Sequence, residues 1–215
     1  MIKTDGVIFD VDGTLWDSSV PAAEVWRRVA SEYPEITDEI SAERLQSFYG
    51  LPLEDIAKGM FLSVPFEKAI SVMERCVKEQ CPYLLEHKGV LLGDVGEVFQ
   101  RLKAKGIKVF IVSNCRAGYI EAFLQAHGIE GLCLDHLCPG DTGLLKADNI
   151  RKIAGKWGLK VPIYVGDTDG DETASREAGV PFVFAAYGFG KAESYADNLD
   201  RLEELPEIVE RAENV

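Results

Sequence analysis

The segment Val7-Ile8-Phe9-Asp10-Val11-Asp12-Gly13-Thr14-Leu15 decides the fold class, because it joins a short apolar run to two carboxylates and a glycine. An apolar run that ends in Asp and Gly is typical of a buried strand entering a loop. Side chains two positions apart in extended backbone point the same way, so Asp10 and Asp12 can share one site. Carboxylates held close together resist joint ionisation unless a cation is present or one of them carries a proton. A hard divalent cation such as Mg²⁺ would resolve the conflict through oxygen ligands. The segment therefore predicts a strand end that binds a divalent cation.

Three later segments have the same form, an apolar run followed by polar or glycine residues. They are residues 108–112 before Ser113-Asn114, residues 163–165 before Gly166-Asp167, and residues 182–186 before Tyr187-Gly188. Apolar residues at helical spacing lie between these runs, at 95–102, 120–124 and 150–157. This alternation predicts an α/β protein with a doubly wound parallel sheet and helices on both faces. Such sheets bind ligands outside the carboxyl ends of their strands, where the polar residues stand.

The interval between the first two runs is too long for a single crossover helix. Helical patterns fill it, beginning at Ser19-Val20-Pro21 and continuing at 41–49, 53–57 and 66–78. We therefore expect an inserted all-α subdomain at 16–88, with 1–15 and 89–215 forming the α/β core. At the other end of the chain, the charged stretch 200–215 predicts an amphipathic surface helix.

The charge of the chain argues against a polyanionic partner. Its 215 residues include 23 Lys and Arg against 36 Asp and Glu, a net charge of −13. Nucleic-acid binding needs basic residues to neutralise phosphates, so we expect no nucleic-acid partner. A small anion is still possible, because local backbone amides and one lysine can outweigh a distant acidic surface.

The sequence also bears on the compartment. No apolar run approaches the roughly 18 residues of a membrane helix, so we expect neither a targeting segment nor a membrane contact. The five cysteines are odd in number and lack paired zinc-binding spacing. This usage predicts reduced, unpaired thiols and a cytoplasmic protein.

Three further clusters carry candidate chemistry. Ser113-Asn114 offers a hydroxyl and amides to phosphate oxygens, and Lys146 offers a compact positive charge at the start of a helix. The acidic run Gly166-Asp167-Thr168-Asp169-Gly170-Asp171 again suggests a divalent cation. A calcium loop is the competing interpretation of that run, but the preceding strand at 163–165 argues against it. Each cluster alone is weak evidence for a functional site, whereas the four clusters in this order along the chain are a specific signal.

This ordered set resembles the motifs of the haloacid dehalogenase-like hydrolases, in particular the phosphoglycolate phosphatase type. The matches are Asp10 to Leu15 with the first motif, Ser113 with the second, Lys146 with the third, and Gly166-Asp167 with Asp171 with the fourth. The resemblance covers essentially the whole chain and implies a Rossmann-like core with a helical C1 cap. Within that cap, Gly50-Leu51-Pro52 looks like the loop that faces substrate.

The chain departs from the family pattern at three positions. Lys146 is followed by Ala147 where the family often has proline, and Asp169 adds a carboxylate to the fourth motif. We expect Asp169 to face solvent, since aspartate is usually exposed. Trp16 is large for a hinge; of the two roles open to it, lining the cleft between cap and core or packing, we expect packing.

The resemblance implies a Mg²⁺-dependent phosphatase acting on phosphoglycolate or a similar small phosphorylated metabolite. Asp10 would form an aspartyl-phosphate, Asp12 would be the general acid and base, and Lys146 would assist catalysis. Ser113, Asn114 and Lys146 would bind the phosphoryl group. The candidate metal residues are Asp10, Asp12 through its backbone carbonyl, Asp167 and Asp171, the last of which positions either the metal shell or Lys146.

Two alternatives remain open at this stage. A phosphomutase of the beta-phosphoglucomutase type would differ mainly in how the cap holds a bisphosphorylated intermediate. A non-catalytic phosphoacceptor or binding module can also combine an aspartate, Mg²⁺ and a lysine on a doubly wound sheet. Receiver modules of that kind lack a large helical insertion after the first strand and give Asp12 no clear role.

Overall fold

Strands and helices alternate along the chain, interrupted by one long helical segment. In the computed structural model, which describes residues 1–212, the strands are β1 (Ile2–Thr4), β2 (Gly6–Phe9), β3 (Trp16–Asp17), β4 (Val90–Leu91), β5 (Lys108–Val112), β6 (Asp135–Leu137), β7 (Pro162–Gly166), β8 (Phe182–Ala185), β9 (Asp197–Leu199) and β10 (Val209–Arg211).

The helices vary from a single turn to 21 residues. They are α1 (Ser19–Ala30), α2 (Ala42–Gln46), α3 (Leu53–Met60), α4 (Phe66–Glu86), α5 (Val95–Ala104), α6 (Tyr119–His127), α7 (Pro139–Thr142), α8 (Lys146–Trp157), α9 (Asp169–Ala178) and α10 (Leu205–Ile208), with 3₁₀ turns at Glu130–Leu132 and Leu202–Glu204. Within residues 1–212, none of the helices has the length and apolar character needed to cross a bilayer. All five cysteines are free, as predicted.

The central sheet has six strands in the order β6-β5-β2-β7-β8-β9, and every neighbouring pair is parallel. From β2 the chain builds outward to one side through β5 and β6, then returns and builds outward to the other side through β7 to β9. The order therefore reverses at β2, and such a switch point opens a crevice at the carboxyl end of the strand. Asp10 follows β2 directly. The predicted doubly wound sheet is confirmed.

The two faces of the sheet bury alternate residues of each central strand. In β5, Val109 and Ile111 pack in one apolar cluster with residues of α5 and α6, whereas Phe110 and Val112 pack in another with residues of α8. Strands buried on both faces are apolar throughout, which explains why these segments appear in the sequence as continuous apolar runs.

Helices α1 to α4 enclose an apolar cluster of their own. Its fully buried members all lie between Ala22 and Cys76 and are distinct from the clusters on the two faces of the sheet. Helix α4 continues to Glu86, beyond the predicted end at 78. Strands β3 and β4 pair antiparallel where the chain leaves and re-enters the core. These observations support our proposal that 16–88 forms an inserted cap.

The prediction of an amphipathic helix at 200–215 is wrong. The chain instead forms a 3₁₀ turn, the single-turn α10 and then β10, which pairs in parallel with β1. Leu202, Leu205 and Val209 are buried, so the periodic apolar pattern is real. Pairing with the open edge of β1 satisfies the backbone in an extended form, and this tertiary contact overrides the helical pattern. Residues 213–215 of the predicted helix lie outside the described residues.

Trp16 is fully buried, as expected, in the core beneath the cap. Its indole N–H donates a hydrogen bond to the backbone oxygen of Lys88 at 2.6 Å, and its ring contacts Tyr119 and Phe123. We expect Trp16→Ala to lower the free energy of unfolding by about 3–5 kcal/mol, because it removes this packing and leaves a cavity. Urea denaturation measures the change.

The control is Val20→Ala, at a neighbouring position whose side chain is 59% exposed. Exposed substitutions usually change stability by less than about 0.5 kcal/mol. Equal losses in the two variants would contradict the packing role of Trp16.

Candidate active site

The predicted site residues meet at one edge of the sheet. Asp10, Ser113 and Asp167 directly follow β2, β5 and β7, which are adjacent strands. Lys146 is the first residue of α8, and its side chain reaches the same crevice. All four residues are buried. The parallel sheet thus gathers residues that are far apart in the sequence.

Lys146 connects two of the buried carboxylates. Its ammonium group donates hydrogen bonds to Asp10 Oδ1 at 2.9 Å and to Asp171 Oδ1 at 2.7 Å. Burial alone would lower the pKa of Lys146, but the attraction of Asp10 and Asp171 raises it above its ordinary value. Lys146 is therefore charged, and one buried cation is shared between two anions.

Asp171 uses both of its oxygens for contacts within the protein. Oδ1 also accepts from the Tyr164 hydroxyl at 3.2 Å. Oδ2 accepts from the backbone N–H groups of Asp167 and Thr168 and from the Thr168 hydroxyl, the last at 2.7 Å. Thr168 and Asp171 form a capping box at the start of α9. Of the two expected roles of Asp171, these contacts favour positioning Lys146 and the loop.

Asp10 has one oxygen that no group in residues 1–212 contacts by a hydrogen bond. Its Oδ2 atom is buried and makes no hydrogen bond to any group in residues 1–212. Leaving a buried acceptor unsatisfied is costly, so such an atom calls for a ligand. Oxygens of Asp10, Asp167 and Asp171 all lie within 4.8 Å of one another. Asp171 uses its oxygens within the protein, whereas Asp10 and Asp167 offer carboxylate oxygens, the donors that a hard divalent cation such as Mg²⁺ prefers.

The acidities of these carboxyl groups point to the same need for a cation. Burial raises the pKa of Asp10 to about 6 although Lys146 opposes the shift, and the charge of Asp171 adds to it. Burial, Asp171 and Asp10 raise the pKa of Asp167 to about 7. A bound cation would favour the ionised forms and reverse these shifts.

The loop after β8 holds Asp167 in place. The sequence predicted the end of a strand here but not this contact with Asp167. Asp167 Oδ2 accepts from the backbone N–H groups of Phe189 and Gly190 at 2.8 and 3.1 Å. A side chain at Gly13 or Gly188 would collide with Asp167, so both positions need glycine for close approach. The sequence signal was the repeated glycine at 188 and 190, directly after a predicted strand.

Asp12 lies on the cap side of the site, in a network of hydroxyl groups. Its Oδ1 accepts from the Tyr119 hydroxyl at 2.7 Å and from the Ser18 hydroxyl at 3.3 Å. Ser18 is also hydrogen-bonded to the Tyr49 hydroxyl at 2.9 Å. Burial raises the pKa of Asp12 to about 8, with smaller contributions from Asp10 and Asp167. The carboxyl group therefore retains its proton near neutral pH, as a general acid must.

Asn114 contacts the cap instead of the other predicted site residues. Its side-chain N–H donates to the backbone oxygen of Gly50 at 2.8 Å, in the predicted substrate-facing loop. Gly50 has a φ of +85° and lies against Thr168 of the core, where a side chain would be crowded. Ser113 directly follows β5, next to the strand that ends at Asp10, and its side chain opposes the rise in the Asp10 pKa. Asp169 is exposed, as expected.

Comparison with known proteins identifies the family. The model of the haloacid dehalogenase-like hydrolases matches residues 7–185. The chain belongs to this family. As a haloacid dehalogenase-like hydrolase it is 26% identical to a phosphoglycolate phosphatase from Synechococcus elongatus, over 87% of this chain and 86% of that protein. It is 24% identical to a phosphoglycolate phosphatase from Escherichia coli O157:H7, over 88% and 84% respectively.

The fold of this hydrolase is shared with solved structures. The crystal structure of a predicted phosphoglycolate phosphatase from Haemophilus somnus matches with a TM-score of 0.80 and 21% identity, covering 97% of this chain and 99% of that one. The expected family, fold and general class of enzyme, a phosphatase, are thereby confirmed.

The raised pKa values of these carboxyl groups predict how a cation would affect the stability of the hydrolase. Asp10, Asp12 and Asp167 have pKa values of about 6, 8 and 7 in the fold against an ordinary 3.8, so without a cation their ionisation destabilises the protein as pH rises through this range. A divalent cation bound between Asp10 and Asp167 would favour the ionised forms of these two carboxyl groups. We therefore expect Mg²⁺ to raise the melting temperature more at about pH 8 than at about pH 5, as measured by differential scanning fluorimetry.

Two variants separate the site from the acidic surface. Asp167→Asn should lose most of the Mg²⁺-dependent increase at high pH, whereas Asp169→Asn, at the exposed neighbouring carboxylate, should keep it. An increase of the same size at both pH values, or the same loss in both variants, would contradict this assignment.

Proposed function

We propose that this hydrolase is a Mg²⁺-dependent phosphatase that cleaves a small phosphomonoester with Asp10 as the nucleophile. The observation that carries the proposal is the state of the Asp10 carboxylate. Lys146 orients one oxygen at 2.9 Å, and the other is buried without a hydrogen bond from residues 1–212. The phosphoglycolate phosphatases among its relatives support a small phosphorylated metabolite as the substrate.

In the first step, a carboxylate oxygen of Asp10 attacks the phosphorus atom and the bond to the leaving oxygen breaks. The proton on Asp12 goes to that oxygen, so the leaving group departs as a neutral alcohol. Lys146 and Ser113 stabilise the phosphoryl oxygens, since phosphoryl transfer depends mainly on positioning and compensation of charge. The product is an aspartyl-phosphate at residue 10.

In the second step, the ionised Asp12 takes a proton from water, and the water oxygen attacks the same phosphorus atom. The bond to Asp10 breaks, which releases phosphate and restores both carboxyl groups. The hydroxyl groups of Tyr119 and Ser18 hold Asp12 in place for both transfers. The same carboxyl group thus acts first as an acid and then as a base.

Three groups would hold the cation: the Asp10 carboxylate, the Asp12 backbone carbonyl and the Asp167 carboxylate. When bound, the ion supplies positive charge that offsets the repulsion between Asp10 and a phosphate dianion. Asp171 has both oxygens occupied by Lys146, Tyr164 and the loop, so we assign it to positioning Lys146.

The contact of Asn114 with Gly50 would keep the cap loop over the site and exclude bulk water before the phosphoenzyme forms. We assign Asn114 to this contact in preference to the phosphoryl group.

The free thiols of the chain support the proposed cytoplasmic location.

Substitution of the two aspartates tests the mechanism. We expect Asp10→Asn to reduce phosphate release from a panel of phosphomonoesters, phosphoglycolate included, by about a thousandfold or more, because the nucleophile is lost. Asp12→Asn should reduce it by roughly a hundredfold to ten-thousandfold, the usual contribution of a general acid and base. Initial rates with and without Mg²⁺ measure both effects.

The matched control is Asp169→Asn, which removes an exposed carboxylate of the same loop. It should keep nearly the full rate and the full dependence on Mg²⁺. Wild-type turnover that survives removal of all divalent cations, or activity retained in Asp10→Asn, would overturn the proposed function.

A further inference from the structure

A cavity of about 260 Å³ lies between the cap and the core, with Asp12 in its wall. Since Asp12 would protonate the leaving oxygen, the alcohol part of the substrate must lie on this side of the phosphorus atom. An apolar cavity of about 150 Å³ is enough to hold a benzene ring. The space beside Asp12 is therefore much larger than a two-carbon leaving group such as glycolate requires.

The lining of the cavity is mainly aromatic and aliphatic. Its cap side includes Trp26, Leu45, Phe48, Tyr49, Leu53 and Ile56. Pockets of this character obtain affinity from buried apolar surface and orient the ligand with a few polar groups. The leaving group that fits this lining is an apolar one.

The charges around the cavity do not suit a second anionic group on the substrate. Among the residues that the structure describes, Arg116 is the one cation in the lining, which also contains the acidic residue Glu54. The Arg116 guanidinium is 45% exposed and pairs with Glu74 at 3.3 Å. A carboxylate on the leaving group would lose its hydration without gaining a free buried cation.

One polar side chain in the lining has an unused donor. Gln80 is only 4% exposed, and its carbonyl oxygen accepts from the Trp26 indole N–H at 2.6 Å. An indole nitrogen can only donate, so this bond fixes which end of the amide is the oxygen. The Gln80 amide nitrogen has no acceptor within residues 1–212, and Gln80 borders the cavity. An amide nitrogen that donates to no protein group can donate to an acceptor atom on a ligand in the cavity.

We propose that the substrate is a phosphomonoester of an uncharged, largely apolar alcohol of about the size of a substituted ring, with an acceptor atom that receives a hydrogen bond from Gln80. This inference rests on the function proposed above and specifies its substrate class. The aromatic and aliphatic lining sets the size and polarity of the alcohol. Gln80 sets its orientation and selects for the acceptor.

Five esters test the proposal on the wild-type enzyme with Mg²⁺. They are phosphoglycolate, the pair 4-acetylbenzyl and 4-isopropylbenzyl phosphate, and the corresponding pair of 3-isomers. Acetyl and isopropyl groups have similar shapes, and the benzylic carbon isolates the reacting oxygen from the substituent. We expect kcat/KM for the benzyl esters to exceed that for phosphoglycolate at least tenfold, and the acetyl ester to exceed the isopropyl ester about tenfold in one isomer pair. A preference for phosphoglycolate, or an acetyl-to-isopropyl ratio near one in both pairs, would overturn the proposal.

Variants assign the preference to the amide donor. Gln80→Met should bring the ratio of kcat/KM between acetyl and isopropyl esters to about one, because it removes the donor and keeps the length of the side chain. Trp26→Phe removes the hydrogen bond between the side chains at positions 26 and 80 but keeps the Gln80 amide. The acetyl-to-isopropyl ratio should therefore persist in this variant. The same change of ratio in both variants would show that Gln80 acts only through packing, against the proposal. If Gln80→Met does not fold, Gln80→Glu at high pH keeps the acceptor for Trp26 and removes the donor.

Binding of the product alcohol separates failure of this inference from failure of the proposed function. We expect 4-acetylbenzyl alcohol to quench tryptophan fluorescence of the wild-type protein in a saturable way, and the Trp26→Phe protein to lose most of the signal. Binding of the alcohol without hydrolysis of any ester would overturn the phosphatase mechanism and support the pocket. Hydrolysis of phosphoglycolate without binding of the alcohol would overturn the pocket and leave the phosphatase in place.

Discussion

The rest of the site depends on the ionic hydrogen bonds made by the buried ammonium group of Lys146. It joins Asp10, at the end of the central strand, to Asp171 in the first turn of α9. Removing one partner of a buried ion pair costs about 3–5 kcal/mol, because the remaining charge has no compensation. Asp171 in turn holds the backbone of Asp167 and Thr168, so the position of the second acidic cluster follows from the same contact.

One lysine cannot neutralise all the carboxyl groups gathered around it. Asp10, Asp12, Asp167 and Asp171 are all buried, and three of them have raised pKa values. This imbalance divides the site into two sides. Near Asp167 a cation is favoured by the surplus of negative charge and by the Asp10 oxygen, which has no hydrogen-bond partner in residues 1–212, whereas near the cap Asp12 keeps a proton. Most of the net charge of −13 lies outside this site and has no such role.

The α/β core and the main acidic residues were predictable because both depend on local patterns. Apolar runs buried on two faces, each followed by polar residues, identify strand ends in a parallel sheet. The hydrogen-bond network around Asp12 was not predictable. Tyr119 lies 107 residues away in the sequence, and no local pattern there indicates that its hydroxyl group contacts Asp12. The role proposed for Gln80 was not predictable for the same reason, because it depends on a cavity between the cap and the core. The prediction of a helix at 200–215 failed because the pairing of β10 with β1 is a long-range contact that local patterns do not indicate.

If Asp10 itself accepts the phosphoryl group, the phosphorylated side chain can be trapped during turnover. Wild-type protein is mixed with substrate and Mg²⁺, quenched within milliseconds, reduced with borohydride and analysed by peptide mass spectrometry. Reduction of an acyl phosphate converts an aspartate side chain to an alcohol, and we expect this change at Asp10, dependent on substrate and absent at Asp12. Turnover with no modification at Asp10, or modification at another carboxylate, would contradict the role of Asp10 as the nucleophile.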